Sequence, residues 1–152
     1  MISLRKVTKN DARLLFEWEN ESEVRANATN QKLISWDEHI AWFACKLLDK
    51  LSFIYILTDL HENIGVIRFD NNNGVFIISY LIDKNHRGEG FGFLILEMGM
   101  KKIREAVENP IFIGYVKRGN IASEKIFNRL GFSIKKEDVI GGIKFIVYHK
   151  ME

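Results

Sequence analysis

Apolar and polar positions recur with two different periods along the chain, which predicts strands and helices in alternation. Residues 2–7 alternate with a period of two and predict a strand, and residues 8–11 start a helix over 12–19. Ser35 and Glu38 have the spacing of a capping box, which predicts the start of a second helix. The apolar positions of that helix are Ile40, Phe43, Leu47 and Leu48.

The middle of the chain has the composition of strands. Runs rich in β-branched and aromatic residues at 52–58 and 64–70 flank a polar turn and predict a hairpin. Residues 75–83 are almost all apolar, as in a central strand that is buried on both faces. This central strand leads directly into a glycine-rich segment.

The last third of the chain predicts two helices and three strands. Helical spacing of apolar residues covers 91–107, and strand 111–116 follows the single proline. Asn120 is a favourable N-cap for a helix that ends near Gly131. Runs at 132–136 and 143–150 predict a final hairpin around two adjacent glycines.

Composition indicates one compact domain over residues 1–152. The formal net charge is only +2, which gives no extended basic field for nucleic acid. The single Cys45 forms no internal disulfide and excludes a cysteine-built metal site, so we expect a reducing, cytoplasmic setting and no metal. Cys45 falls within the apolar face of the second helix, where we expect it to be buried. No apolar run approaches the roughly 20 residues needed to cross a bilayer, which argues against a membrane protein.

A glycine-rich loop between the buried strand and the next helix is the main candidate for chemistry. Its residues are Arg87, Gly88, Glu89, Gly90, Phe91 and Gly92. Glycines allow tight turns and close approach of a ligand, and backbone N–H groups at a helix N-terminus attract anions. The loop therefore predicts a pyrophosphate site, with the Arg87 charge at its mouth. The segment lacks the lysine of an ATP-binding P-loop, and it follows a late strand instead of the first strand of a dinucleotide fold.

The spacing Arg87-x-x-Gly90-x-Gly92 resembles the acetyl-coenzyme A pyrophosphate motif of the Gcn5-related N-acetyltransferases (GNAT). Asn120 and Ser123, in a helix followed by Leu-Gly-Phe, resemble the later motif of the same family. The resemblance covers essentially the whole chain and implies an α/β (α+β) fold. Such a fold has a mixed, mostly antiparallel sheet of about seven strands flanked by about four helices.

The resemblance also implies how acetyl-coenzyme A is held. The loop residues 87–92 would contact the pyrophosphate, and Asn120, Ser123 and Phe127 would meet the pantetheine arm and adjacent phosphates. Strand residues Leu81, Ile82 and Asp83 would pair with the pantetheine amides as a neighbouring strand does. No metal is implied.

The resemblance implies direct attack of a neutral amine on the thioester, and it leaves the catalytic groups open. Many relatives protonate the leaving thiolate with a tyrosine at the position of Phe127. Tyr80 and Tyr148 are the candidates to replace that tyrosine, with solvent as the alternative. A base is not evident on the central strand, and Glu19, Glu21 and His39 are the candidates from the N-terminal helices.

The amino-terminal third suggests an acceptor. Trp18-Glu19-Asn20, Ile34-Ser35 and Trp42-Phe43 resemble acetyltransferases of nucleotide-linked amino sugars of the pseudaminic acid pathway type, although Glu19 stands where those enzymes carry arginine. Alternatives are the N-termini of proteins, including ribosomal proteins, small amines or antibiotics, and a non-catalytic acyl-coenzyme A sensor. A homodimer formed through the last strands or the edge strand is compatible with the pattern, which does not determine it.

Overall fold

A computed structural model describes residues 1–151 as seven strands and five α-helices, which confirms the expected α/β class. In chain order these are β1 Ile2–Lys6, α1 Ala12–Glu19, α2 Ser22–Asn27, α3 Trp36–Leu48, β2 Ser52–Asp59, β3 Glu62–Asn72, β4 Val75–Ile82, α4 Phe91–Ala106, β5 Ile111–Lys117, α5 Ile121–Arg129, β6 Ser133–Ile140 and β7 Ile143–Met151. Short 3-10 helices occupy Lys9–Asp11 and Lys84–His86. Across this described part, no helix is both long and apolar enough to span a bilayer.

The seven strands form one sheet in the order β1-β2-β3-β4-β5-β7-β6. Every neighbouring pair is antiparallel except β4 and β5, which run parallel and are joined by helix α4. The mixed, mostly antiparallel sheet is therefore confirmed. The parallel pair lies at the centre of the sheet, where the candidate loop emerges.

Helices cover both faces of the sheet. One face packs Ile67, Phe69 and Phe76 against Ile95 of α4 and Phe127 of α5. The other face packs residues of β2, β3 and β4 against α1 and α3, through Leu15, Trp18, Phe43, Ile54, Val66 and Leu81. Because side chains alternate along a strand, neighbouring residues of β4 face different helices.

Helix α3 presents a different face to the core from the one that its aliphatic residues predict. Ser35 caps its N-terminus as expected, with its hydroxyl accepting from the Glu38 N–H at 3.2 Å. The buried positions are His39 and Phe43, whereas Ile40, Leu47 and Leu48 are exposed. Aromatic rings account for the difference, because Phe16 of α1 packs against Trp36 and His39. The predicted burial of Cys45 is wrong, because α3 buries the face that carries His39 and Phe43, and Cys45 lies on the exposed side.

Helix α2 is a short element that the pattern did not predict. It spans six residues, and none of them is buried. Glu21 is its N-cap, with the carboxylate accepting from the Glu23 N–H. Helices this short are marginal in water without other contacts, so polar partners elsewhere must hold α2 in place.

We expect Asp11→Asn to lower the free energy of unfolding by about 2 kcal/mol, because it weakens charged hydrogen bonds. The Asp11 carboxylate accepts from Arg5 at 2.8 and 2.9 Å and from the Thr8 N–H at 2.8 Å, closing a reciprocal capping box.

The Arg5 guanidinium lowers the pKa of Asp11. This stabilisation is therefore present above the unfolded-state pKa of about 3.9 and is lost as the pH falls through the lower folded-state pKa. Urea unfolding should show the largest difference at neutral pH and a shrinking difference in acid. Equal stability of the two proteins at neutral pH would exclude this role.

Candidate active site

The parallel strands β4 and β5 separate partway along the sheet. They pair from Val75 with Ile111 to Ile78 with Gly114, and both strands continue beyond the last pair. Residues 79–82 of β4 pair with β3 on their other side, so their edge toward β5 faces a gap. A strand edge with free backbone groups can hydrogen-bond an extended ligand as an added strand. Leu81 and Ile82, which the family resemblance implies as partners of the pantetheine amides, lie in this segment.

The glycine-rich loop lies at the end of β4 and forms the N-terminus of the sixteen-residue helix α4. Gly88 and Gly90 have φ angles of 79° and 85°, a left-handed conformation that disfavours side chains. A Cβ atom built on either glycine meets nothing within 4 Å, so the space in front of the loop is open. The first N–H groups of α4 lack intrahelical partners, and the helix dipole favours an anion there. The loop thus fits the pyrophosphate of coenzyme A.

Helix α5 borders the other side of the gap. Asn120 caps its N-terminus, with the side-chain oxygen accepting from the Ser123 N–H at 3.4 Å. The Ser123 hydroxyl hydrogen-bonds the Tyr80 hydroxyl, which reaches α5 from β4. Gly92 of α4 packs beside them, since a Cβ there would lie 2.7 Å from the side chain of Ile126. The loop, the strand edge and both predicted motif residues of α5 therefore surround one space.

Phe127 belongs largely to the hydrophobic core. It is 2% exposed, and its ring stacks on the Tyr148 ring with centroids 5.3 Å apart. Gly114 of β5 makes room for it, because a Cβ at that glycine would lie 2.5 Å from the Phe127 ring. Tyr148 is 1% exposed and does not line the cavity, which leaves Tyr80 as the better placed of the two candidate tyrosines.

A cavity of about 930 Å³ runs through the gap between the strands. Of the predicted site residues, it is lined by Glu19, Tyr80, Leu81, Ile82, Arg87, Gly88, Gly90, Phe91, Gly92, Asn120, Ser123 and Phe127. His39, Asp83, Glu89 and Tyr148 do not line it. We call the part beside α4 and α5 the cofactor side, and the part beside α1, α2 and α3 the acceptor chamber.

The predicted residues outside the cavity have other partners. The Asp83 carboxylate accepts from the Trp18 indole N–H at 2.7 Å and caps the following turn through the Asn85 N–H. Glu89 is exposed and lies 3.8 Å from the His86 ring nitrogen. Asp83 thus joins α1 to the end of β4 through its side chain.

His39 and Asn20 are scaffold residues. His39 is buried, with Nε2 2.8 Å from the Ala12 carbonyl oxygen and its ring stacked on Phe43. The Asn20 side chain both donates to and accepts from the Ile34 backbone, at 2.8 and 2.7 Å. Both residues fix the N-terminal helices and the following loop.

Glu19 is the N-terminal acid that faces the acceptor chamber. Its carboxylate lies 3.4 Å from the Arg25 guanidinium. Burial raises the pKa of Glu19, and the charges of Arg68, Arg25 and His39 oppose that shift. A carboxyl with a raised pKa next to an open chamber has the properties of a general base.

Strand β3 supplies a polar network to the acceptor chamber that the sequence analysis missed. The Arg68 guanidinium donates to Asp70 at 2.8 Å and to the Ser79 hydroxyl at 3.3 Å, and it lies 5.0 Å from the centre of the Trp42 ring. Asp70 also accepts from Lys46 at 2.8 Å. The sequence contains a signal for this network, because Arg68 and Asp70 follow the apolar run 64–67 at positions i and i+2 of one strand and must therefore share a face.

The Arg87 side chain turns away from the loop backbone. Its Nη1 atom lies 2.6 Å from carboxylate oxygens of both Glu21 and Glu23. Its Nε donates to the Ile82 carbonyl oxygen at 3.1 Å. The predicted contact of this guanidinium with pyrophosphate stays a prediction.

A split parallel pair, a glycine-rich helix N-terminus beside it and a chamber with a half-buried carboxyl define an acetyl-coenzyme A-dependent N-acetyltransferase. The chain belongs to the acetyltransferase (GNAT) domain family, whose model matches residues 2–133. The resemblance seen in the two motifs is thereby confirmed at the level of the family.

Solved structures share the fold over nearly the whole chain. Spermidine N-acetyltransferase from Vibrio cholerae, in complex with coenzyme A and spermine, superposes with a TM-score of 0.90 at 16% identity, covering 99% of this chain and 95% of that one. A ribosomal L7/L12 alpha-N-protein acetyltransferase in complex with coenzyme A gives 0.84 at 18% identity, with coverages of 99% and 93%. The aminoglycoside acetyltransferase AAC(6')-Ib in complex with coenzyme A superposes with a TM-score of 0.83 at 16% identity, covering 100% of this chain and 95% of that one. No curated protein matches the sequence.

Proposed function

We propose that this enzyme acetylates a primary amine carried by a neutral or anionic molecule, and that the preferred class is a nucleotide-linked amino sugar. The observation behind the proposal is the charge of the acceptor chamber. Arg25 and Arg68 face Glu19 there, and Asp70 is paired with both Arg68 and Lys46. The third acid that lines the chamber, Glu23, is paired with Arg87, so the chamber has no excess of negative charge to attract a polycation.

The cofactor side would hold acetyl-coenzyme A through backbone groups. N–H groups of the loop at Gly90 and Gly92 would bind the pyrophosphate, and the free edge of β4 at Leu81 would pair with the pantetheine amides. When bound there, acetyl-coenzyme A supplies the thioester that the amine attacks, with coenzyme A as the leaving group. The gap orients the two reactants, so that one enters from each side of the sheet.

Glu19 and Tyr80 would move the protons. Glu19 lies on the acceptor side and would accept a proton from the attacking amine, directly or through water. Tyr80 points to the cofactor side, and its hydroxyl would donate a proton to the departing thiolate, with Ser123 orienting it. Burial raises the pKa of Tyr80, which keeps the phenol protonated and ready to donate.

Two arginines make the acceptor chamber compatible with an anionic acceptor. Glu19 alone would repel a nucleotide, but Arg25 and Arg68 offset its charge. The resemblance to amino-sugar enzymes rests partly on Trp18 and Asn20, whose side chains bind Asp83 and Ile34 within the scaffold. The charges of the chamber, and not these two residues, therefore support the choice of acceptor.

An acceptor panel tests the proposal. Release of coenzyme A from acetyl-coenzyme A would be followed by thiol detection with nucleotide-linked amino sugars, peptides with free N-termini, spermine and aminoglycosides. We expect the highest kcat/KM with an amino-sugar nucleotide. Preference for spermine or an aminoglycoside would overturn the charge argument, and cofactor binding without thiol release on any acceptor would favour an acyl-coenzyme A sensor.

We expect Glu19→Gln to lower kcat/KM by about 100-fold and to remove the acidic limb of its pH profile. Glu19 is active as a base only when deprotonated, so wild-type activity should fall as the pH drops through its raised pKa. Glu17→Gln is the matched control, because Glu17 is exposed on the same helix. An unchanged acidic limb in Glu19→Gln would assign the base to another group.

A further inference from the structure

The Arg87 guanidinium joins the phosphate-binding loop to helix α2. It contacts Glu21 and Glu23 at 2.6 Å each, on either side of the start of α2, and its Nε donates to Ile82 of β4. Ion pairs at this distance are charge-assisted hydrogen bonds, which are stronger than neutral ones. We propose that Arg87 positions α2 as a wall of the acceptor chamber, and that its guanidinium takes no part in binding the pyrophosphate.

Helix α2 is held mainly by polar contacts, which include hydrogen bonds from the Arg25 side chain to the Glu19 and Asn30 carbonyl oxygens at 2.6 and 2.7 Å. None of its six residues is buried, and only Val24 packs partly against the core of α1 and α3. At its far end, the Lys117 ammonium group of β5 donates to the Ala26 carbonyl oxygen at 2.9 Å. The helix therefore spans the gap between β4 and β5, with a cation from each side of the gap at its two ends.

The position of α2 matters for the acceptor. Glu23, Val24, Arg25 and Asn27 line the chamber, and the Arg25 Nε donates to the Glu19 backbone oxygen at 2.6 Å. Displacing α2 would move both the wall and the proposed base. This consequence rests on the proposed function, because it takes the chamber to be the acceptor site.

A competing role for Arg87, as a pyrophosphate ligand, predicts a different effect on coenzyme A binding. If its guanidinium left the carboxylates to bind pyrophosphate, Glu21 and Glu23 would compete with the cofactor. Removing both negative charges would then strengthen coenzyme A binding. If Arg87 instead holds α2 in place, the same change leaves the affinity for coenzyme A nearly unaltered and speeds amide exchange in the helix.

The test uses Glu21→Gln/Glu23→Gln and Arg87→Gln. The control for the double variant is Glu97→Gln/Glu105→Gln on the exposed face of α4, which changes the net charge by the same amount. Calorimetry gives the coenzyme A Kd, and hydrogen exchange gives the protection of amides 22–27. Neither measurement needs a known acceptor, so the proposal is tested separately from the proposed function. Arg87→Lys, which keeps the charge, should restore most of the protection.

We expect amide exchange over 22–27 to quicken by about fivefold in both test variants, with the coenzyme A Kd within about twofold of wild type. With an acceptor from the panel, its KM should rise in the same variants more than kcat falls. Tighter coenzyme A binding in the double glutamine variant, or about tenfold weaker binding in Arg87→Gln with unchanged exchange, would overturn the proposal.

Discussion

Gly90→Val should weaken coenzyme A binding by about 100-fold or more. Gly90 has a φ of 85° and caps helix α4, where a β-branched residue is strained. The open space in front of its Cα is the expected place of the pyrophosphate, so the valine methyl groups would compete with the ligand. Calorimetry with coenzyme A measures the loss without requiring an acceptor.

Gly74→Val is the matched control for this prediction. Gly74 has a φ of 86°, and a Cβ there also meets nothing within 4 Å, but it lies in the β3–β4 turn away from the cavity. The two valine variants should lose similar stability, and only Gly90→Val should lose coenzyme A affinity. Equal coenzyme A affinity in both variants would exclude the loop as the pyrophosphate site.

Tyr80→Phe should lower kcat by about 100-fold while leaving the coenzyme A Kd nearly unchanged. The substitution removes one hydroxyl, whose partner is Ser123 at the N-terminal end of α5. That hydroxyl is the proposed proton donor to the leaving thiolate, in place of the hydroxyl that Phe127 lacks. Single-turnover measurements separate the chemical step from product release.

Tyr148→Phe is the control for Tyr80→Phe. Tyr148 is 1% exposed and stacks on Phe127 on the core side, so its loss should change stability more than kcat. If Tyr80→Phe retains wild-type kcat, solvent protonates the thiolate and Tyr80 has no acid role. A large kcat loss in Tyr148→Phe would move that role to Tyr148.

The cofactor side was largely predictable because its determinants are local in sequence. Gly88 and Gly90 lie between a buried strand and a helix, and Gly92 lies in the first turn of that helix. The strand, the glycines and the helix each have their own short-range pattern. Asn120 and Ser123 form a capping pair within four residues. The expectation that Leu81 and Ile82 pair with the cofactor came from the family resemblance, since no local pattern states where two strands separate.

The acceptor chamber was less predictable because its contacts join distant segments. Trp18 and Asn20 suggest substrate binding when considered as a motif, but their partners are Asp83 and the Ile34 backbone. The spacing of aliphatic residues predicted the wrong buried face for α3. In the structure the aromatic rings pack against one another in the interior, and the leucines of α3 stay exposed. The contact of Arg68 with Trp42 could not be predicted from the sequence, because it depends on β3 lying beside α3 in the fold.

The most direct test of the account is a crystal structure of the protein with acetyl-coenzyme A. We expect the pyrophosphate on the N–H groups of the loop at Gly90 and Gly92, the pantetheine paired with the edge of β4, and the thioester sulfur beside the Tyr80 hydroxyl. The Arg87 guanidinium should still contact Glu21 and Glu23. Acetyl-coenzyme A bound outside the gap between β4 and β5, or absent from crystals soaked at saturating concentration, would contradict it.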